Sequence, residues 1–168
     1  GQLTAVGSTL YFIAYDGTNG TELWKSDGTE LGTTMVKDIN PGSASSSPSD
    51  LVAIGSTLYF FATDAAAGRE LWKSDGTPGG TVPVLDLVPR AGGSAPTRLV
   101  AFGPNLVFFA NDGVHGLEPW ISDGSAAGTG MIDDFNPGAT DSVDAGYGFG
   151  PRVVGGTLYL SIDDGVTG

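Results

Sequence analysis

Glu22-Leu23-Trp24-Lys25-Ser26-Asp27-Gly28-Thr29 returns almost letter for letter as Glu70-Leu71-Trp72-Lys73-Ser74-Asp75-Gly76-Thr77. An altered copy follows as Glu118-Pro119-Trp120-Ile121-Ser122-Asp123-Gly124-Ser125. The three tryptophans are spaced by 48 residues and again by 48. Self-similarity at a fixed period means one supersecondary unit stacked on copies of itself. Aligned on the tryptophan, the repeats run 3–50, 51–98 and 99–150, with a partial unit at 151–168. The third repeat is longer because 141–149 carries an acidic, glycine-rich insertion.

Outward from the octapeptide, each repeat reads as four short strands. The first is expected at 3–6, 51–54, 99–102 and 151–154, followed by a Gly-centred hairpin turn such as Gly7-Ser8 or Gly55-Ser56. The second, Leu10–Tyr15 with counterparts at 58–63, 106–111 and 158–163, shows little polar alternation, as expected of a strand buried on both faces. It ends at a recurrent aspartate (Asp16, Asp64, Asp112, Asp164), with a glycine four residues on (Gly20, Gly68, Gly116, Gly168). The octapeptide is the third strand and the turn after it. Gly32-Thr33, Gly80-Thr81 and Gly128-Thr129 open the fourth, which carries Val36, Val84 and Ile132 and closes on Asp38, Asp86 and Asp134. A longer link then leads to the next repeat. Short hairpins with one longer link predict an all-β, β-propeller-like array of four-stranded antiparallel blades, about three and a half 48-residue repeats in one array over 1–168.

Composition agrees. Of 168 residues 28 are glycine, a load that suits tight turns and weakens helices. The formal charge of −12 disfavours nucleic acid and anionic lipid, so neither nucleic-acid binding nor membrane insertion is expected. No apolar run approaches the roughly 20 residues of a membrane span. With no cysteine, disulfides, thiolate metal sites and a cysteine nucleophile are excluded. The chain begins at Gly1 and its fourth repeat stops at Gly168, before its octapeptide. Two readings stay open: a piece of a longer array, or a unit that associates with further copies of itself.

The Glu-Leu-Trp-x-x-Asp-Gly-Thr octapeptide, with Gly-Thr three residues on, resembles the ELWxxDGT tandem-repeat family of large bacterial secreted or surface proteins. The resemblance covers the whole chain; Pro119 and Ser125 depart from it in the third repeat, and the fourth lacks the motif. It implies a repeat architecture and an extracellular or cell-surface bacterial setting. Ser26-Asp27-Gly28-Thr29 is also similar to the Asp-box turn of sialidase propellers, whose part is structural.

No catalytic constellation emerges, and the chain is expected not to be an enzyme. Asp27, Asp75 and Asp123, with Asp16, Asp64, Asp112 and Asp164, are read as structural turn residues whose carboxylates accept backbone N–H bonds. No cofactor is expected; Ca²⁺ at these Asp-Gly turns is the alternative, although the alternating ligands of a calcium loop are absent from the sequence. Trp24, Trp72 and Trp120 are read as equivalent core anchors, with sugar-stacking platforms as the alternative. Glu22, Glu70 and Glu118 are expected to pair with Lys or Thr across a strand. His115, the single histidine, is expected at the surface, and Gly-Tyr-Gly-Phe-Gly at 146–150 lacks the lysine and following helix of a phosphate loop.

The functional expectation is a non-enzymatic extracellular module for binding or scaffolding, whose partners are other repeats of the parent chain or further copies, with glycan as a further candidate. A lectin-like propeller is the alternative and a glycan-active propeller enzyme the distant one.

Overall fold

The computed structural model describes residues 2–89, 92–143 and 150–166. Of the expected features, Gly168 and most of the insertion and glycine-rich stretch, 144–149, lie outside the described residues. Among the described residues the regular structure is all β-strand, in two compact units, Gly1–Gly93 and Ser94–Gly168.

The first unit holds two sheets. Sheet 1 is β1 (Leu3–Val6), β2 (Thr9–Tyr15), β3 (Thr21–Ser26) and β4 (Thr34–Lys37). Sheet 2 is β5 (Ser49–Ile54), β6 (Thr57–Asp64), β7 (Gly68–Ser74) and β8 (Val82–Pro83). Each is antiparallel and ordered as the chain runs. The first hairpin turns on Gly7 and Gly55, both at φ 59°, as a two-residue turn with glycine at its first central position requires.

Directly opposed residues share a sheet face, so the register sorts the side chains. Phe12 opposes Trp24, and Phe60 opposes Trp72. One face of each sheet is therefore a Phe/Trp face: Leu10, Phe12, Ala14 and Trp24 in sheet 1, Leu58, Phe60, Ala62 and Trp72 in sheet 2. The other face of sheet 1 carries Val6, Tyr11, Ile13 and Leu23. These join the Phe/Trp face of sheet 2 in one apolar cluster with Val36, Ile39 and Leu51. Burying each large side chain there contributes about 1.5–3 kcal/mol. Polar ties rim the contact. Lys25 Nζ donates to the Gly76 carbonyl at 2.7 Å, and Lys37 Nζ donates to that of Thr81 at 2.8 Å while lying 5.6 Å above the Trp72 ring.

The second unit holds sheet 3, with β9 (Thr97–Phe102), β10 (Asn105–Asn111), β11 (Leu117–Ser122) and β12 (Thr129–Met131), and a hairpin of β13 (Arg152–Val154) and β14 (Thr157–Tyr159). Phe109, Leu117 and Val143 form a buried cluster there, against which Leu160 and Ile162 pack.

In the first three repeats strands one to three fall where the sequence places them, and two expectations are corrected. The fourth strand is short: Val84 and Ile132 lie just past β8 and β12, although their amides still donate to Leu71 and Pro119 carbonyls, both at 2.8 Å. Pro83 in β8 has no N–H with which to extend the ladder. The strand expected over 158–163 ends at Tyr159, because among the described residues no third strand pairs with it. Its continuation still follows the repeat, since Asp163 N donates to Ser142 O as Thr63 N does to Ser46 O, both at 2.8 Å.

Candidate functional site

The Ser-Asp-Gly-Thr turn between the third and fourth strands is built three times to one plan. Asp27 Oδ1 accepts from Thr29 N at 2.9 Å and Thr29 Oγ1 at 2.7 Å. Thr29 Oγ1 accepts in turn from Gly32 N at 2.9 Å, and Ser26 Oγ and Thr33 Oγ1 close the loop at 2.7 Å. Asp75 repeats this with Thr77, Gly80, Ser74 and Thr81. In the third copy Ser125 supplies the hydroxyl: its N and Oγ donate to Asp123 Oδ1 at 2.8 and 2.6 Å, and Gly128 N donates to its Oγ at 3.0 Å. The departure from Thr therefore leaves the network intact. A Cβ added to Gly32, Gly80 or Gly128 would overlap the Asp carboxylate, which explains the glycine five residues after the aspartate. The Thr29 and Thr77 hydroxyls, followed by their amides, hold Asp27 and Asp75 below the usual carboxylate range.

The aspartates after the second strand make smaller turns. Asp16 accepts from Thr18 N, Asn19 N and Asn19 Nδ2, Asp64 from Ala66 N and Ala67 N, and Asp164 from Val166 N. The backbone amide of Asn19 is the main cause that lowers Asp16. Asp112 accepts from Val114 N and His115 N and lies 2.7 Å from His115 Nδ1. Burial pushes Asp112 up, but the His115 bonds more than offset it; the same hydrogen bond raises His115.

The glutamate of the octapeptide departs from expectation. Glu22 is completely buried and among the described residues pairs with no Lys or Thr; its carboxylate holds the link to the next sheet. Oε1 accepts from Ser46 N at 2.8 Å, and Oε2 from Ser46 Oγ at 2.5 Å and Ile39 N at 3.2 Å. Glu118 repeats this with Ser142 N, Ser142 Oγ and Phe135 N. One carboxylate thus satisfies Ser46 N, Ser46 Oγ and Ile39 N, buried donors that would otherwise be left unpaired, whereas Ser142 N and Oγ also donate to the Leu117 carbonyl at 3.2 and 3.3 Å. Burial pushes both glutamates above their usual range, and the nearby Asp38 and Asp134 add to this. The signal was available in the sequence, since Ser46, Ser94 and Ser142 hold one position in successive repeats.

The tryptophans occupy one position on the third strand but not one environment. Trp72 and Trp120 are buried, whereas Trp24 is half-buried. Trp120 Nε1 donates to the Ala110 carbonyl at 3.1 Å, while the buried Nε1 atoms of Trp24 and Trp72 have no partner among the described residues. Beside the first Asp turn, Thr9, Lys25, Asp27, Leu31, Gly32 and Thr34 line a cleft of about 300 Å³.

Among the described residues no three His, Cys, Asp or Glu side chains converge. Asp38 Oδ1 and Asp134 Oδ1 are buried next to Glu22 and Glu118, with no hydrogen-bond partner among the described residues.

Neither a family model nor a curated protein matches the chain. Among solved structures it is similar to a chain from a structural and mechanistic study of two prolyl endopeptidases, at 13% identity and a TM-score of 0.51. The match covers 80% of this chain and 20% of that one, so the chain spans about a fifth of its structural neighbour and shares fold alone with it.

Proposed function

We propose that the chain is a non-enzymatic repeat module of a bacterial secreted or surface protein, its sheets forming blades of a propeller-like array that serves binding or scaffolding. The observation that carries this reading is where the recurrent chemistry goes. Glu22 and Glu118 hold inter-sheet links, Asp27, Asp75 and Asp123 close their own turns, and Trp72 sits in the sheet-to-sheet core. A residue engaged this way in its own repeat maintains the array and leaves surfaces, not reacting groups, as the working parts. Strands in chain order within each four-stranded sheet, the Phe/Trp face of sheet 2 packed on the Tyr/Leu face of sheet 1, and the fold-level likeness to a solved structure support the blade reading.

A lectin-like reading is favoured by one feature, the half-buried Trp24, an aromatic ring on a sheet face that no other sheet covers among the described residues. Titrating the chain with mono- and oligosaccharides while following tryptophan fluorescence separates the two. The scaffold reading expects no saturable change. Saturable quenching abolished by Trp24→Phe would move the assignment to glycan binding, and hydrolysis of any titrated glycan would move it to an enzyme.

A further inference from the structure

Beside the octapeptide glutamate lies a second carboxylate whose chemistry is only half used. Leu23 opposes Lys37 across β3 and β4, so the next pair outward, Glu22 and Asp38, stands opposed on one side of sheet 1. Glu22 is 0% exposed. Asp38 Oδ2 accepts from Gly42 N at 3.2 Å, whereas its Oδ1 is buried and has no hydrogen-bond partner among the described residues. The third repeat builds the same arrangement. Glu118 is 0% exposed, Asp134 Oδ2 accepts from Gly138 N at 3.4 Å, and Asp134 Oδ1 is again buried without a partner among the described residues. Asp86, the equivalent in the second repeat, is exposed.

Two ionised carboxylates opposed out of water repel each other, and a buried acceptor with no donor is costly as well. The donors that reach Glu22 are Ser46 N, Ser46 Oγ and Ile39 N, all of them neutral, and Asp38 is the charge that acts on it. None of these donors serves Asp38 Oδ1. Glu22 Oε1 accepts from Ser46 N and keeps a second lone pair. A single proton placed there removes the repulsion and supplies the missing donor together.

We infer that Glu22 and Asp38 share one proton, carried on Glu22 Oε1 and donated to Asp38 Oδ1, and that Glu118 and Asp134 do the same. The proton comes from solvent and leaves each pair with one negative charge instead of two. Its carrier is the side chain that holds Ser46 and Ile39, so the pair is an acid-set clamp on the link between sheets 1 and 2. Each site titrates as a pair and not as two single groups. As pH rises through that range the proton leaves, the carboxylates repel, and the clamp loosens. In sheet 3, Asp134 and Glu118 also act on His115, whose protonated form tempers their repulsion, so the first repeat gives the cleaner reading. The clamp operates whatever the module binds.

Asp38→Asn tests it on the full chain. The asparagine Oδ1 still accepts from Gly42 N, its Nδ2 donates permanently where the shared proton did, and Glu22 keeps every donor it has. At pH 5 the variant should melt with the wild type, and at pH 8 about 2–4 °C above it. Glu22, followed by carbon-detected NMR of its carboxyl and assigned with Glu22→Gln, should titrate above the ordinary Glu value of about 4.3 in the wild type and fall toward it in Asp38→Asn. An Asp38→Asn chain that melts at or below the wild type at pH 8 overturns the inference. So does a wild-type Glu22 that titrates at the ordinary value, a measurement that needs no Asp38 variant to fold. Ca²⁺ that raises the wild-type melting temperature at pH 8 but not that of Asp38→Asn overturns it too, because a cation would then take the place given to the proton.

Discussion

Sheets 1 and 2 hold identical sequence through Glu-Leu-Trp-Lys-Ser-Asp-Gly-Thr, with the same register between Phe and Trp, yet their tryptophans differ. Trp72 is buried by the opposing face of sheet 1, while Trp24 has no sheet before it among the described residues and stays half-buried. Identical local sequence makes identical strands. The neighbour decides what the same residue contributes.

The sharpest break of that comparison is to truncate both. Trp72→Ala should lose about 3–5 kcal/mol in denaturant unfolding. Trp24→Ala should lose about 1–2 kcal/mol, because much of its surface is already in water. Equal losses would show that the two sites are equivalent after all.

Next in size is the link between the sheets. Glu22→Ala leaves Ser46 N, Ser46 Oγ and Ile39 N without their acceptor and should lose about 3 kcal/mol. Glu22→Gln keeps one acceptor oxygen and should recover part of that loss. Should Glu22→Ala unfold like the wild type, the link is held by something else.

Backbone changes sharpen the comparison further. Gly80→Ala forces its Cβ into the Asp75 carboxylate and should destabilise sheet 2 by about 1 kcal/mol. Ala95 sits at φ 46° and is exposed, so Ala95→Gly should stabilise the second unit by up to about 1 kcal/mol.

Acidity should produce the smallest graded effect. Glu22 and Glu118 are held above the ordinary Glu range, so the stability they contribute is full below that range and lost as pH rises through their folded values. His115, also raised, acts in the same direction over a higher range. Asp16, Asp27, Asp75 and Asp112 are held low; their contribution is present above about pH 3.9 and lost as pH falls through their folded values. The melting temperature should therefore rise on acidification from pH 8 toward about pH 5 and fall below about pH 4. Adding EDTA at neutral pH should leave it unchanged if the Asp turns hold without metal; a drop reversed by Ca²⁺ would assign them to calcium.

The strands of the octapeptide and the hairpin before it were legible because their signals are local: Gly at the turn, a run of apolar residues, Asp before Gly. The fourth strand and the end of β14 were not, since a strand extends only as far as a neighbour offers it hydrogen bonds. Asp50 and Arg98 at φ 53° and 62° were equally hidden. They accompany the slipped registers at the start of β5 and β9, where a sequence reader expects glycine.

The sequence by itself determined the 48-residue repeat, the third strand around each tryptophan and the hydroxyl–carboxylate turn that follows it, because each depends on residues within a few positions of one another. Only tertiary structure decided that Glu22 reaches 24 residues ahead to Ser46, that Trp72 is core where Trp24 is half-buried, and that Tyr11 is covered where Tyr159 is open. Burial is a property of what lies opposite, and no residue encodes its neighbour alone.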